Sequence, residues 1–141
     1  MADFEQAYLR TEAHEGYPGW VHDPADPGGE TLAGISRRAN PAFAGWSVVD
    51  QVRKKLGWTA CAKTINEALK AEPNLRATVK AYYKKVYWAP LKLDAEPNQR
   101  LAGTVYDFAV NAGPTPSLAL LQEARRAAEE ALAAGGLTDV D

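Results

Sequence analysis

With one cysteine, Cys61, the chain can form no internal disulfide, so its stability has to come from packing rather than from covalent staples. No histidine flanks Cys61 in sequence, and a small buried side chain is expected there rather than a nucleophile. An excess of either charge is missing too: 16 Lys and Arg against 18 Asp and Glu leave a formal net charge of -2. That balance supplies no basic field to draw nucleic acid, which is therefore not an expected partner. No stretch approaches the ~18 uninterrupted apolar residues of a membrane helix, so no membrane partner is expected. The opening Met-Ala-Asp-Phe-Glu-Gln has neither a basic n-region nor an apolar h-region, and synthesis in the cytoplasm without a cleavable export signal is expected. Internal repeats are also lacking.

What remains is ordinary for a globular chain: 141 residues, 46% hydrophobic and 24% charged, enough to bury a core. Phe4, Tyr8 and Thr11 fall to one side of residues 3–15, with Ala7 nearby, Asp3 placed to cap and Gly16 to stop a short helix. From 16 to 36 the glycines at 16, 19, 28, 29 and 34, with Pro18, Pro24 and Pro27, forbid a helix. A long ordered loop is expected, with a small hairpin near 31–36. Beyond the breakers Asn40-Pro41 and Gly45, residues 46–56 read as a helix with Val49, Val52 and Leu56 inward.

Three prolines then stand where helices can begin. Pro73 precedes Leu75, Val79, Tyr82, Tyr83 and Val86; Pro97 precedes Leu101, Val105 and Phe108; Pro116 precedes Leu118, Leu121 and Leu132. The last helix is expected to run to about Ala134 and to close at Gly135-Gly136, leaving 137–141 as a polar tail. The expected fold is mainly α: one domain over 1–141, with a helix-and-loop region over about 4–60, a helical bundle over about 61–136, and a small β-hairpin in a Gly/Pro-rich loop.

A loop this long inside a compact domain usually carries function. Glu15 closes the first helix, where the negative end of the helix dipole disfavours a carboxylate and favours its protonated form. A protonated glutamate is what glycosidic cleavage needs, because the leaving oxygen must receive a proton as the bond breaks. Across the sugar a second group must order water or stabilise the transition state, and Asp26, Asp23 and the Thr31 hydroxyl are the candidates. Prolines around Asp26 stiffen the backbone and the glycines after it permit close approach. Tyr17 and Trp20 supply flat faces with polar tips suited to sugar rings.

The run His14-Glu15-Gly16-Tyr17, then Asp23-Pro24-Ala25-Asp26-Pro27-Gly28-Gly29-Glu30-Thr31 and Gly34-Ile35-Ser36, resembles the N-terminal motif of the glycoside hydrolase family 108 muramidases of phages and bacteria. Tyr83 to Trp88, Val105-Tyr106-Asp107-Phe108-Ala109-Val110-Asn111-Ala112-Gly113 and Leu121-Gln122 resemble the helical region that accompanies it and is regarded as peptidoglycan-binding. The resemblance covers residues 4 to 124 or so. It implies a lysozyme-like fold and N-acetylmuramidase activity on the glycan strands of peptidoglycan, with the family's glutamate, aspartate and threonine falling on Glu15, Asp26 and Thr31. Tyr17, Trp20, Asp23 and Asn111 become the expected substrate contacts, no metal or other cofactor is expected, and the protein is expected to be a monomer. Action on the cell wall, in the periplasm, would follow holin-type or specialised release. The chain departs from the family in having Tyr17 directly after Gly16, in a longer Glu15 to Asp26 separation, and in lacking the Asp-Gly-x-x-Gly-containing close.

Blander assignments exist for the same residues. Glu15 can be a solvated helix end with Glu12 as the acid instead; Asp23 and Asp26 can cap turns, and Thr31 can be a plain strand residue. His14, His22, Asp23, Asp26 and Glu30 do not have the spacing of a zinc or calcium site, and His22 reads as a hydrogen-bonding loop residue. The aromatic stripe from Tyr82 to Trp88 reads as core, with Tyr87 or Trp88 best placed to reach a groove, and Asp107 with Asn111 as a structural pair one turn apart. A non-catalytic peptidoglycan-binding module or secretion-associated regulator of the same fold is the alternative function.

Overall fold

The computed structural model describes residues 1–25 and 29–133. It is mainly helical with a small three-stranded antiparallel sheet, as the sequence leads one to expect. The helices are α1 (Phe4–Glu15), α2 (Gly45–Leu56), α3 (Ala62–Lys70), α4 (Leu75–Tyr83), α5 (Gln99–Ala112) and α6 (Pro114–Ala133); the strands are β1 (Val21–His22), β2 (Glu30–Leu32) and β3 (Ile35–Ser36). Two compact units result, one from Thr11–Tyr82 and the other from Met1–Arg10 with the chain from Tyr83 onward.

In the unit of residues 11–82, the sheet has the order β1-β2-β3. The expected hairpin is β2 and β3, with Thr31 opposite Ser36 and Leu32 opposite Ile35. Ala33 and Gly34 join them with φ of 48° and 82°, the pair of left-handed residues that suits a strand twist in a two-residue turn. Leu32, Ile35, Trp46, Val49, Val52, Ile65, Leu69, Leu75 and Val79 are buried. The expectation for Leu56 is corrected, since it is 41% exposed at the last residue of α2, where Gly57 turns the chain away. α3 has no counterpart in the sequence reading; Ile65 and Leu69, one turn apart, are its buried stripe. Cys61 is also corrected: it stands exposed at the N-cap of α3. The Thr64 hydroxyl beside it, then the N–H groups of the first turn, pull its thiol below the ordinary value.

The other unit packs aromatic rings edge to face. Phe4, Trp88 and Tyr106 form a triangle with centroids 5.4, 5.7 and 5.8 Å apart. After α4 the chain makes a π-helical turn over Lys84–Trp88 and two 3-10 turns, Ala89–Leu91 and Leu93–Ala95. Trp88 is fully buried and donates its indole N–H to Asp94 at 2.8 Å, so it does not reach a groove, whereas Tyr87 is half-buried. Phe108 and Leu118, expected inward, are 40% and 49% exposed; Val105 and Leu121 are buried as expected, and Tyr106 and Ala109 are buried with them. α6 starts at Pro114, two residues ahead of expectation, and its first turn accommodates Pro116 because N–H groups there have no intrahelical partner. The Leu132 side chain, the expected Gly135-Gly136 stop and the tail lie outside what is described.

Asn98 caps α5, accepting the Leu101 N–H at 2.9 Å while itself 5% exposed. Asn98→Ala is expected to cost about 1 kcal/mol, read as a lower urea midpoint with an unchanged slope.

Candidate active site

Glu15 is the last residue of α1 and is half-buried. Gly16, at φ 84°, donates its N–H to the Glu12 carbonyl at 2.8 Å and ends the helix. The loop then doubles back so closely that a side-chain carbon on Gly19 would stand 3.4 Å from the Gly16 carbonyl oxygen and 3.5 Å from that of Glu15. Two remote elements hold it there. The Pro18 carbonyl accepts the N–H of Ala33 in the hairpin turn at 2.8 Å, and Asn66 of α3 brackets Trp20, accepting its N–H at 2.7 Å and donating to its carbonyl at 2.9 Å.

Beneath the loop lies a buried carboxylate. Glu30, 8% exposed, accepts the Trp20 indole N–H at 2.7 Å and the Arg37 guanidinium at 3.0 Å, with Arg53 at 3.5 Å. Arg37 extends the network by a two-pronged bond to Asp50 at 2.7 and 2.8 Å. Trp20 is therefore not a surface platform: it is 4% exposed, and its ring packs over Arg53 at 5.0 Å. Alternation along β2 sends Glu30 and Leu32 to the buried face and leaves half-buried Thr31 on the other.

The remaining expected residues separate by environment. Glu12, one turn before Glu15, is gripped by Arg76 through two bonds of 2.6 Å. That hydrogen bonding holds its carboxyl below the ordinary value of 4.5, which makes it a fixed anion and removes it as the alternative acid. The Glu15 side chain has no hydrogen-bond or ion-pair partner among the described residues. The Tyr17 hydroxyl is buried without a hydrogen-bond partner among the described residues, and burial pushes the phenol up, near the charges of Arg76, Glu12 and Glu72.

Asp23 is exposed and accepts the Ala25 N–H at 2.9 Å, a turn-capping bond. His22 pairs in β1 opposite Glu30 rather than standing in a loop. Asp26 lies outside the described residues. Asn111 belongs to the other unit, exposed, and donates to the Asp107 carbonyl at 2.8 Å, while the Asp107 carboxylate faces Arg10 at 3.8 Å; the expected Asp107 and Asn111 pair is thus side chain to backbone.

Sequence reasoning missed Glu30, Arg37, Arg53, Asp50, Asn66 and Arg76. Glu30 carried a signal, since a glutamate two residues before a leucine in a short strand shares the leucine's face. Asn66 and Arg76 carried none, being 46 and 64 residues from their partners. Among the described residues no three of His, Cys, Asp and Glu converge to hold a metal ion.

The family model described as Glycosyl hydrolase 108 matches residues 8–113, most of the chain. The chain belongs to the glycosyl hydrolase 108 family. No curated protein and no solved structure matches it. Membership makes a glycan the substrate class, and the match spans the Glu15 loop, the Glu30 network and α5 of this glycosyl hydrolase 108 chain. No helix among the described residues is long and apolar enough to cross a membrane.

Glu30→Ala leaves two guanidinium groups and an indole N–H facing a cavity. It is expected to destabilise the protein by about 3 kcal/mol in chemical denaturation. The lowered Glu12 carboxyl adds stability that is present above its ordinary value of 4.5 and is lost as pH falls through the lowered one. Thermal unfolding of Glu12→Gln is accordingly expected to lose less midpoint than wild type on acidification.

Proposed function

We propose that this glycoside hydrolase is an N-acetylmuramidase that cleaves peptidoglycan between N-acetylmuramic acid and N-acetylglucosamine, with Glu15 as the proton donor. The observation that carries the assignment is the contrast along α1: Glu12 is held as an anion by Arg76, whereas Glu15 is uncommitted among the described residues and sits at the negative end of the helix. A carboxyl with no structural partner to hold it is available to pass a proton to a glycosidic oxygen. As the bond breaks, positive charge develops at the sugar's anomeric carbon, and water ordered by Asp26 or the Thr31 hydroxyl adds there, its proton passing to the Asp26 carboxylate or to solvent while Glu15 regains its own from solvent.

Thr31 suits that role by standing, half-buried, on the face of β2 opposite the one anchored through Glu30. Tyr17 and Asp23 are assigned to substrate contact. Trp20 serves by fixing the loop from below, through Glu30 and Asn66. The polypeptide is read as one monomeric lysozyme-like domain.

Glu15→Gln keeps the shape of the side chain and removes the transferable proton. On outer-membrane-permeabilised bacteria it is expected to abolish the loss of turbidity that wild type produces, with helicity by circular dichroism unchanged. A fully lytic, folded Glu15→Gln protein would defeat the assignment. Wild type that sediments with purified sacculi yet releases no reducing sugar would instead mark a binding module.

A further inference from the structure

Trp58 stands apart from the other tryptophans. Trp20, Trp46 and Trp88 are 4%, 3% and 0% exposed, whereas Trp58 is 56% exposed. A solitary surface indole is unremarkable in itself; the informative feature is how firmly this one is held. Gly57, at φ 98°, ends α2 with its N–H on the Arg53 carbonyl at 2.8 Å, and its own carbonyl accepts the Ala60 N–H at 3.1 Å. Arg53 donates to the Trp58 carbonyl at 3.2 Å and lays its guanidinium 4.9 Å from the ring centroid.

The same guanidinium is 5.0 Å from the Trp20 ring centroid and 3.5 Å from the Glu30 carboxylate, and its side chain is only 13% exposed. Arg53 thus lies between an indole of the active-site loop and an indole at the surface. Trp20 follows Gly19, where an added side-chain carbon would stand 3.4 Å from the Gly16 carbonyl oxygen and 3.5 Å from that of Glu15. Within residues 11–82, Arg53 joins the loop that follows α1 to an open aromatic surface.

We propose that Trp58 is a sugar-stacking platform, the floor of a glycan subsite flanking the cleavage point. This rests on the reading of the chain as a hydrolase of wall glycan. One face of a pyranose is a plane of C–H groups, and an indole face is the protein surface best matched to it. Because Arg53 already fixes the ring, little side-chain freedom is lost when a sugar settles on it.

The burial of the other three indoles makes Trp58 its own reporter. Full-length Glu15→Gln protein, titrated with soluble peptide-free glycan strands, is expected to shift its tryptophan emission to the blue and to lose most of its iodide quenching at saturation. Trp58→Ala in that background should abolish both changes and weaken strand binding about tenfold, with Trp58→Phe recovering part of the affinity. Saturating strands that leave iodide quenching unchanged, or no strand binding at all, would overturn the platform, and this readout does not depend on whether Trp58→Ala folds. Failure of the catalytic reading is separable: wild type that releases no reducing sugar, while strands still protect Trp58, would remove Glu15's role and leave the platform standing.

Discussion

The buried carboxylate of Glu30 is the interaction on which the candidate site depends. An ionised group this far from water is tolerated only when donors surround it, and here they come from three parts of the chain: the Trp20 indole in the loop, Arg37 just after β3, and Arg53 on α2. Removing any one donor costs more than its bond, because it leaves charge unsatisfied in a poorly hydrated place. The geometry is specific in a way that an apolar contact is not. Loop, sheet and α2 have to meet at one point for the charges to be satisfied, and a strand displaced by one residue would turn Glu30 outward and Thr31 inward.

The same economy of charge sorts the carboxyl groups around the loop. Glu12 is committed to Arg76, Asp50 to Arg37, Glu30 to the buried network and Asp23 to a local turn. Each has a structural partner that holds it as an acceptor. Glu15 differs in lying where the helix gives out and the loop doubles back, with no side-chain partner among the described residues. Arg53 connects this arrangement to the surface, since the cation that helps to satisfy Glu30 also braces Trp58.

Local chemistry was legible in the sequence, and long-range pairing was not. Asp3 and Gly16 bracket α1 as their residue types suggest, the turn at Ala33-Gly34 forms where a small hairpin is expected, and the motif around Glu15 identifies the family before any coordinate is consulted. Periodicity misplaced Leu56 and Phe108, because an apolar stripe names a face and not how far the neighbouring element covers it. α3 escaped notice since Cys61 supplies no side-chain cap and the buried stripe is two residues long. Trp88 is core, as the aromatic stripe from Tyr82 reads, and it closes a π-helical turn that no spacing rule anticipates. Trp20 looked like a sugar platform because its chemistry suits one, yet the partner that buries it, Glu30, is ten residues away, and the exposed indole proved to be Trp58.

Cleavage at the proposed bond leaves a muramic acid unit at every new reducing end. Digestion of purified sacculi, borohydride reduction and amino-sugar analysis identify that unit directly. Muramitol rising with digestion time is the expected result. Glucosaminitol in its place, or no reduced amino sugar above the undigested control, would contradict muramidase action by this chain.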